Sequence, residues 1–107
     1  MPLTVRVIAD YEPMYADPIR VHAGEPISVS REDDEFPGWR WCASGDGREG
    51  WVPIELIETS GDRSRIIQTY SAIELAVRAG EDVVVHDSRH QWLFVSNSKG
   101  EQGWIPV

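Results

Sequence analysis

The sequence predicts an all-β protein in which one small module is used twice, and three observations predict it. Ala23-Gly24-Glu25 leading to Gly50-Trp51-Val52-Pro53 recurs as Ala79-Gly80-Glu81 leading to Gly103-Trp104-Ile105-Pro106. Apolar residues alternate with period two, as in Leu3-Thr4-Val5-Arg6-Val7 and Pro26-Ile27-Ser28-Val29-Ser30, which is the spacing of half-buried strands. Gly and Pro punctuate the chain at short intervals, and no stretch carries the apolar stripe of an amphipathic helix.

The elements follow one order in both copies. A run ending in tyrosine comes first, Val7-Ile8-Ala9-Asp10-Tyr11 and Ile66-Ile67-Gln68-Thr69-Tyr70. At the Ala-Gly-Glu turns, Gly24 and Gly80 supply a positive φ, while Glu25 and Glu81 close the turn by accepting from backbone amides. A tryptophan strand follows, Trp39-Arg40-Trp41-Cys42-Ala43 and Trp92-Leu93-Phe94-Val95-Ser96. Strand alternation points Cys42 and Val95 into a core and puts Trp39, Trp41, Trp92 and Phe94 on the opposite face. Aromatics on an outer face indicate a ligand surface or an interface between the copies. Gly45-Asp46-Gly47-Arg48-Glu49-Gly50 fits a dinucleotide fingerprint in spelling only, because it leads into Trp51-Val52-Pro53 and not a helix; it reads as a hairpin turn. A single 3₁₀ turn is expected after Pro53. Glu58-Thr59-Ser60-Gly61-Asp62-Arg63-Ser64 is polar and turn-rich, so the chain divides into copy one at 1–58, a linker at 59–65 and copy two at 66–107.

This order of tyrosine, mid-strand tryptophan, second aromatic and proline resembles the SH3 domain family over nearly all of residues 5–107. Glu74-Leu75-Ala76-Val77-Arg78-Ala79-Gly80-Glu81 is similar to the stretch with which SH3 domains leave the RT loop, and Gly103-Trp104-Ile105-Pro106 to their Gly-aromatic-hydrophobic-Pro signature. The resemblance implies two small, partly open SH3-like β-barrels in tandem, docked on each other. It implies a peptide groove on Tyr11, Trp39, Trp51 and Pro53 in copy one and on Tyr70, Trp92, Trp104 and Pro106 in copy two, with Trp39 foremost. Copy one has the longer loops and is the better recognition candidate.

The departures from the family pattern are specific. Ala9 and Gln68 stand where the family has an earlier tyrosine, and Leu56 where a tyrosine usually follows the proline. Pro18 stands where the main RT-loop acid is expected, with Asp17 one place early, and Gly38 where an acid often precedes the tryptophan. Arg31-Glu32-Asp33-Asp34-Glu35 offers replacement acids from the n-Src loop. Copy two reaches Val107 directly after its proline, so the resemblance implies a missing final strand and an open edge. The N-terminal Pro2-Leu3-Thr4-Val5, a strand of copy one, or the same edge of a second molecule in a homodimer are its candidate partners.

Ten basic against eighteen acidic residues give a net charge of −8, which argues against a nucleic-acid surface and favours a basic partner. No apolar run approaches membrane length and the first residues lack a signal-peptide core, so a cytoplasmic protein with no membrane partner is expected. The lone Cys42 fits a reducing compartment and reads as a small core hydrophobe. His86 and His90 are four apart on a non-helical segment, a poor metal pair, and no metal or cofactor is expected. No catalytic constellation is evident, so no enzyme is expected. The functional expectation is a non-catalytic module binding extended, proline-rich or basic peptides. The alternative is a structural or oligomerisation protein whose tryptophans form an interface. A third reading, resemblance to bacterial SH3-like domains of cell-wall peptides, is disfavoured by the absent export signal.

Overall fold

The computed structural model describes residues 3–107, so Pro2 of the N-terminal candidate segment lies outside it. The described residues form an all-β fold. The strands in chain order are β1 (Leu3–Arg6), β2 (Arg20–Val21), β3 (Pro26–Glu32), β4 (Trp39–Ser44), β5 (Glu49–Pro53), β6 (Ile57–Ser60), β7 (Arg63–Ile66), β8 (Tyr70–Ser71), β9 (Asp82–Arg89), β10 (Trp92–Ser96) and β11 (Gln102–Pro106). The 3₁₀ turn expected after Pro53 is Ile54–Leu56, and the spelled fingerprint is the β4–β5 hairpin turn, with Gly47 at φ 86°.

Two compact units result, and their bounds are not those of the contiguous copies. The continuous unit is Asp17–Ala72; the split unit joins the described residues up to Ala16 with Ile73–Val107. The continuous unit carries the five-stranded order β5-β4-β3-β7-β6 and the small β2-β8 pair, and the split unit the order β1-β9-β10-β11. Each opening run therefore lies in the unit that holds the other copy's tryptophan strand.

Equivalent hydrogen bonds show how each unit accepts its opening strand. In the continuous unit Gly24 N–H donates to the Ile66 carbonyl (2.7 Å) and Ile66 N–H to that of Glu25 (2.9 Å). In the split unit Gly80 N–H donates to Val7 (2.8 Å) and Val7 N–H to Glu81 (2.8 Å). Both glycines have the expected positive φ, 90° and 94°. Glu25 and Glu81 close their turns as expected, accepting from the amides of His22 (2.9 Å) and Arg78 (3.0 Å).

The segment expected to be a linker is instead the β6–β7 hairpin, turning at Gly61 (φ 63°) and Asp62. The polar residues that suggested a loop are cross-strand pairs: the Thr59 and Ser64 hydroxyls lie 2.9 Å apart, and Arg65 contacts Glu58 at 2.7 Å. Ordering a two-residue turn closes a very short loop and costs little chain entropy. That hairpin seats the second opening strand beside β6, so the first opening strand is left to complete β9.

The cores have matching registers. Val7, Leu75, Val77, Val83, Val95 and Ile105 form the buried cluster of the split unit. The residues at the same places in the continuous unit, Ile66, Ile19, Val21, Ile27, Cys42 and Val52, are all buried too. Cys42 and Val95 face inward as strand alternation requires. The continuous unit adds Leu56, 4% exposed, from its 3₁₀ turn.

Candidate functional site

The eight residues expected to line grooves separate into two groups of four, each mixing the copies. Tyr11 joins Trp92, Trp104 and Pro106 in the split unit; Tyr70 joins Trp39, Trp51 and Pro53 in the continuous one. The expected grouping of Tyr11 with Trp39 is thus corrected, because the opening runs are exchanged.

In the split unit, Tyr11 is held by a reciprocal backbone pair with Val77, at 2.9 and 3.0 Å. Its ring meets that of Trp92 edge-on, with centroids 5.8 Å apart and planes at 82°, an arrangement favoured by the ring quadrupoles. Trp92 lies opposite Pro106 in the β10–β11 register. Tyr11, Trp92 and Pro106 are all partly exposed, whereas Trp104 is buried and packs on Phe94 at 5.3 Å. The Tyr11 hydroxyl donates to the Glu74 carboxylate, which also accepts from the Met14 amide (3.3 Å). Burial, then that bond and the Glu74 charge, push the Tyr11 phenol above its ordinary range, so it stays protonated and donating. Nearby, Arg78 contacts Glu12 at 3.0 Å and Asp10 at 3.5 Å. The result is a strip of two aromatic rings and a proline bordered by carboxylates.

The continuous unit treats its four residues differently. Trp39, expected on an outward face, is only 4% exposed; Pro53 opposite it in the β4–β5 register and Tyr70 are buried as well. The Tyr70 hydroxyl donates to the Trp51 carbonyl at 2.8 Å, which satisfies its polar end inside the unit. Trp41 and Trp51 are partly exposed and meet edge-on at 5.0 Å, with the Arg31 guanidinium 5.3 Å from each ring centroid. Nothing in the sequence marks Arg31 out, because it stands at the head of a run of four acids. Of these, Asp33 is a turn former, accepting from the amides of Glu35 (2.9 Å) and Phe36 (3.2 Å). An open depression of about 270 Å³ lined by Arg20, His22, Thr69 and Tyr70 lies on the same unit.

Cys42 is 1% exposed, and burial raises its thiol to about 11. A neutral thiol without solvent access reacts slowly. The native chain at pH 8 is expected to resist a thiol-specific chromogenic reagent that titrates one group promptly in denaturant. Fast native labelling would show that the core around β4 opens.

An all-β fold presenting an aromatic, carboxylate-bordered strip has the character of a protein-interaction module. The variant SH3 domain family matches residues 4–59, more than half of the chain, and the chain belongs to that family. The matched stretch begins on β1 in the split unit and ends on β6 in the continuous one. No solved structure matches the chain. Members of this family are in general non-catalytic interaction modules that take protein or peptide partners. Among the described residues, no group of three His, Cys, Asp or Glu is placed to hold a metal ion, and no helix is long and apolar enough to cross a membrane.

Proposed function

We propose that the chain binds an extended peptide segment, proline-rich or basic, across Tyr11, Trp92 and Pro106 of the split unit, and that it works as two SH3-like units with exchanged opening strands. The observation that carries this reading is the asymmetry of exposure: these three residues remain partly exposed, while Trp39, Pro53 and Tyr70 at the matching places are buried. A polyproline II segment is already extended and loses little entropy on docking, and flat rings accept its pyrrolidine ridges. Glu12 and Glu74 supply negative charge for a basic residue flanking such a segment. The recognition strip thus draws its tryptophan from the second copy, not from copy one as its longer loops suggest.

Trp92→Ala tests the proposal. An aromatic anchor of this kind contributes about 2 kcal/mol or more, so affinity for a bound proline-rich or basic peptide is expected to fall at least about 30-fold. Far-ultraviolet circular dichroism should be unchanged. Unaltered affinity in the folded variant would remove Trp92 from the site.

The structural reading is favoured by one specific observation, the partly exposed, edge-on Trp41–Trp51 pair on a unit whose own Trp39 is buried. Under it the chain self-associates through the Trp41–Trp51 surface and binds no peptide. Sedimentation velocity with Trp51→Ala separates the two, because loss of a dimer would support that reading and a monomer throughout would reject it.

A further inference from the structure

In the continuous unit β7 is paired on both sides, by β3 and by β6. In the split unit β1 occupies the same place against β9, with Arg6 opposite Asp82 and Val5 opposite Val83, as Arg65 is opposite Pro26 and Ser64 opposite Ile27. Its other side is unpaired among the described residues. Among the described residues, three features of the continuous unit have no counterpart at this edge. They are the strand β6, the bond from Ile67 N–H to the Leu56 carbonyl at 2.9 Å, and the buried Leu56 itself. The residue matching Ile67, itself 50% exposed beside Leu56, is Ile8, which is 93% exposed, and Leu3 on the same edge is 62% exposed. A strand edge with free amides and large exposed apolar residues is a template for strand addition.

We infer that β1 is a docking edge for an antiparallel β-strand of a partner protein, one carrying an apolar residue closely followed by an acid. The continuous unit shows what such a strand needs. Leu56 fills the core next to the opening strand, Ile57 stands opposite Ile66, and Glu58 pairs with Arg65. On the split unit the corresponding cation is Arg6. Its Nε contacts Asp82 at 3.2 Å, and its side chain is otherwise exposed, leaving guanidinium donors for an incoming carboxylate. The register predicts the incoming residues opposite Val7, Arg6, Val5 and Thr4 in the order Ile57 to Ser60. Since Val7 N–H is bonded to Glu81 on the β9 side, alternation turns the amides of Thr4, Arg6 and Ile8 toward the open edge. This edge is distinct from the aromatic strip, and the inference does not depend on the peptide-binding proposal.

The probe is a synthetic peptide with the sequence of Pro53–Ser60, added to the full chain and followed by amide hydrogen exchange and isothermal titration. The expected result is saturable one-to-one binding, with exchange at Thr4, Arg6 and Ile8 slowed about tenfold or more, the worth of one buried backbone bond. A peptide carrying Leu56→Asp should not bind, because its carboxylate would enter an apolar site. Arg6→Glu should weaken the peptide about fivefold, and a peptide carrying Glu58→Lys should recover the loss. Three results overturn the inference: no binding, protection at Arg65 and Ile67 in place of Arg6 and Ile8, or no recovery on charge exchange. Concentration-dependent dimerisation of the chain that protects the same amides would overturn it in favour of a second copy.

Discussion

Trp39→Ala is expected to destabilise the continuous unit by about 3–5 kcal/mol, the usual cost of truncating a buried aromatic to alanine. The indole is 4% exposed, so its removal forfeits burial and leaves a cavity between β4, β5 and their surroundings. Pro53 opposite it and the Ile54 amide, which donates to the Gly38 carbonyl at 2.9 Å, hold the 3₁₀ turn that delivers Leu56. Loss of the indole therefore reaches the turn as well as the strand. Typical domains have only about 5–15 kcal/mol in total, so this unit should melt well below the parent in a guanidinium titration. Were Trp39→Ala to keep full stability, the placement of this residue in the core would be wrong and the outward groove would return.

Gly103→Ala is expected to cost about 3 kcal/mol, the upper part of the range for overpacking. A Cβ at this position would stand 2.7 Å from the Glu74 carbonyl carbon and from the Leu75 nitrogen, and 3.0 Å from the Leu75 Cβ. Two of these are backbone atoms that cannot swing away. The clash also displaces Glu74, the acceptor for the Tyr11 hydroxyl, so the variant should lose peptide affinity together with thermal stability. Gly50, in the first occurrence of the motif, meets Ile19 Cγ2 at 2.9 Å and the Ala72 Cβ at 3.2 Å. The glycine of Gly-Trp-x-Pro is therefore there for close approach. Gly45→Ala is the control: no atom lies within 4 Å of its added Cβ and its φ is not positive, so its melting temperature should barely move. A shift as large as that of Gly103→Ala would point to a loss of glycine flexibility in general and away from the clash.

The exchange of the opening runs changes how single substitutions spread. A change at Tyr11 acts on the tryptophan strand of the second copy, and a change at Tyr70 on that of the first. A stability effect of Tyr11→Phe should appear with unfolding of the split unit, where Glu74 and Trp92 lie.

Much of the local structure was legible because it depends on near neighbours. Gly24 and Gly80 turn where only a residue without Cβ is comfortable, and Glu25 and Glu81 close those turns over three residues. Cys42 and Val95 point inward because strand alternation is set by backbone geometry. Alternation also placed Trp39 outward, and there it failed: both faces of a short strand in so small a unit can be covered, and Trp39 is buried with Cys42. The polar segment 58–64 misled for a related reason. Thr, Ser, Glu and Arg are loop residues by composition, yet opposite one another on an exposed edge they form hydroxyl and ion pairs.

The sequence by itself determined the all-β class, the Gly24 and Gly80 turns and the identity of the eight aromatic and proline positions, since each is written in local spacing. Only the tertiary structure decided which tyrosine stands beside which tryptophan. The Gly24 and Gly80 turns present the same pair of backbone hydrogen bonds to an opening strand, and Val7 and Ile66 are equally good apolar guests. With the two alternatives nearly matched in side-chain chemistry, the tight Gly61-Asp62 turn tips the choice. It keeps β7 beside β6 at small cost in loop entropy and sends the first opening strand to β9.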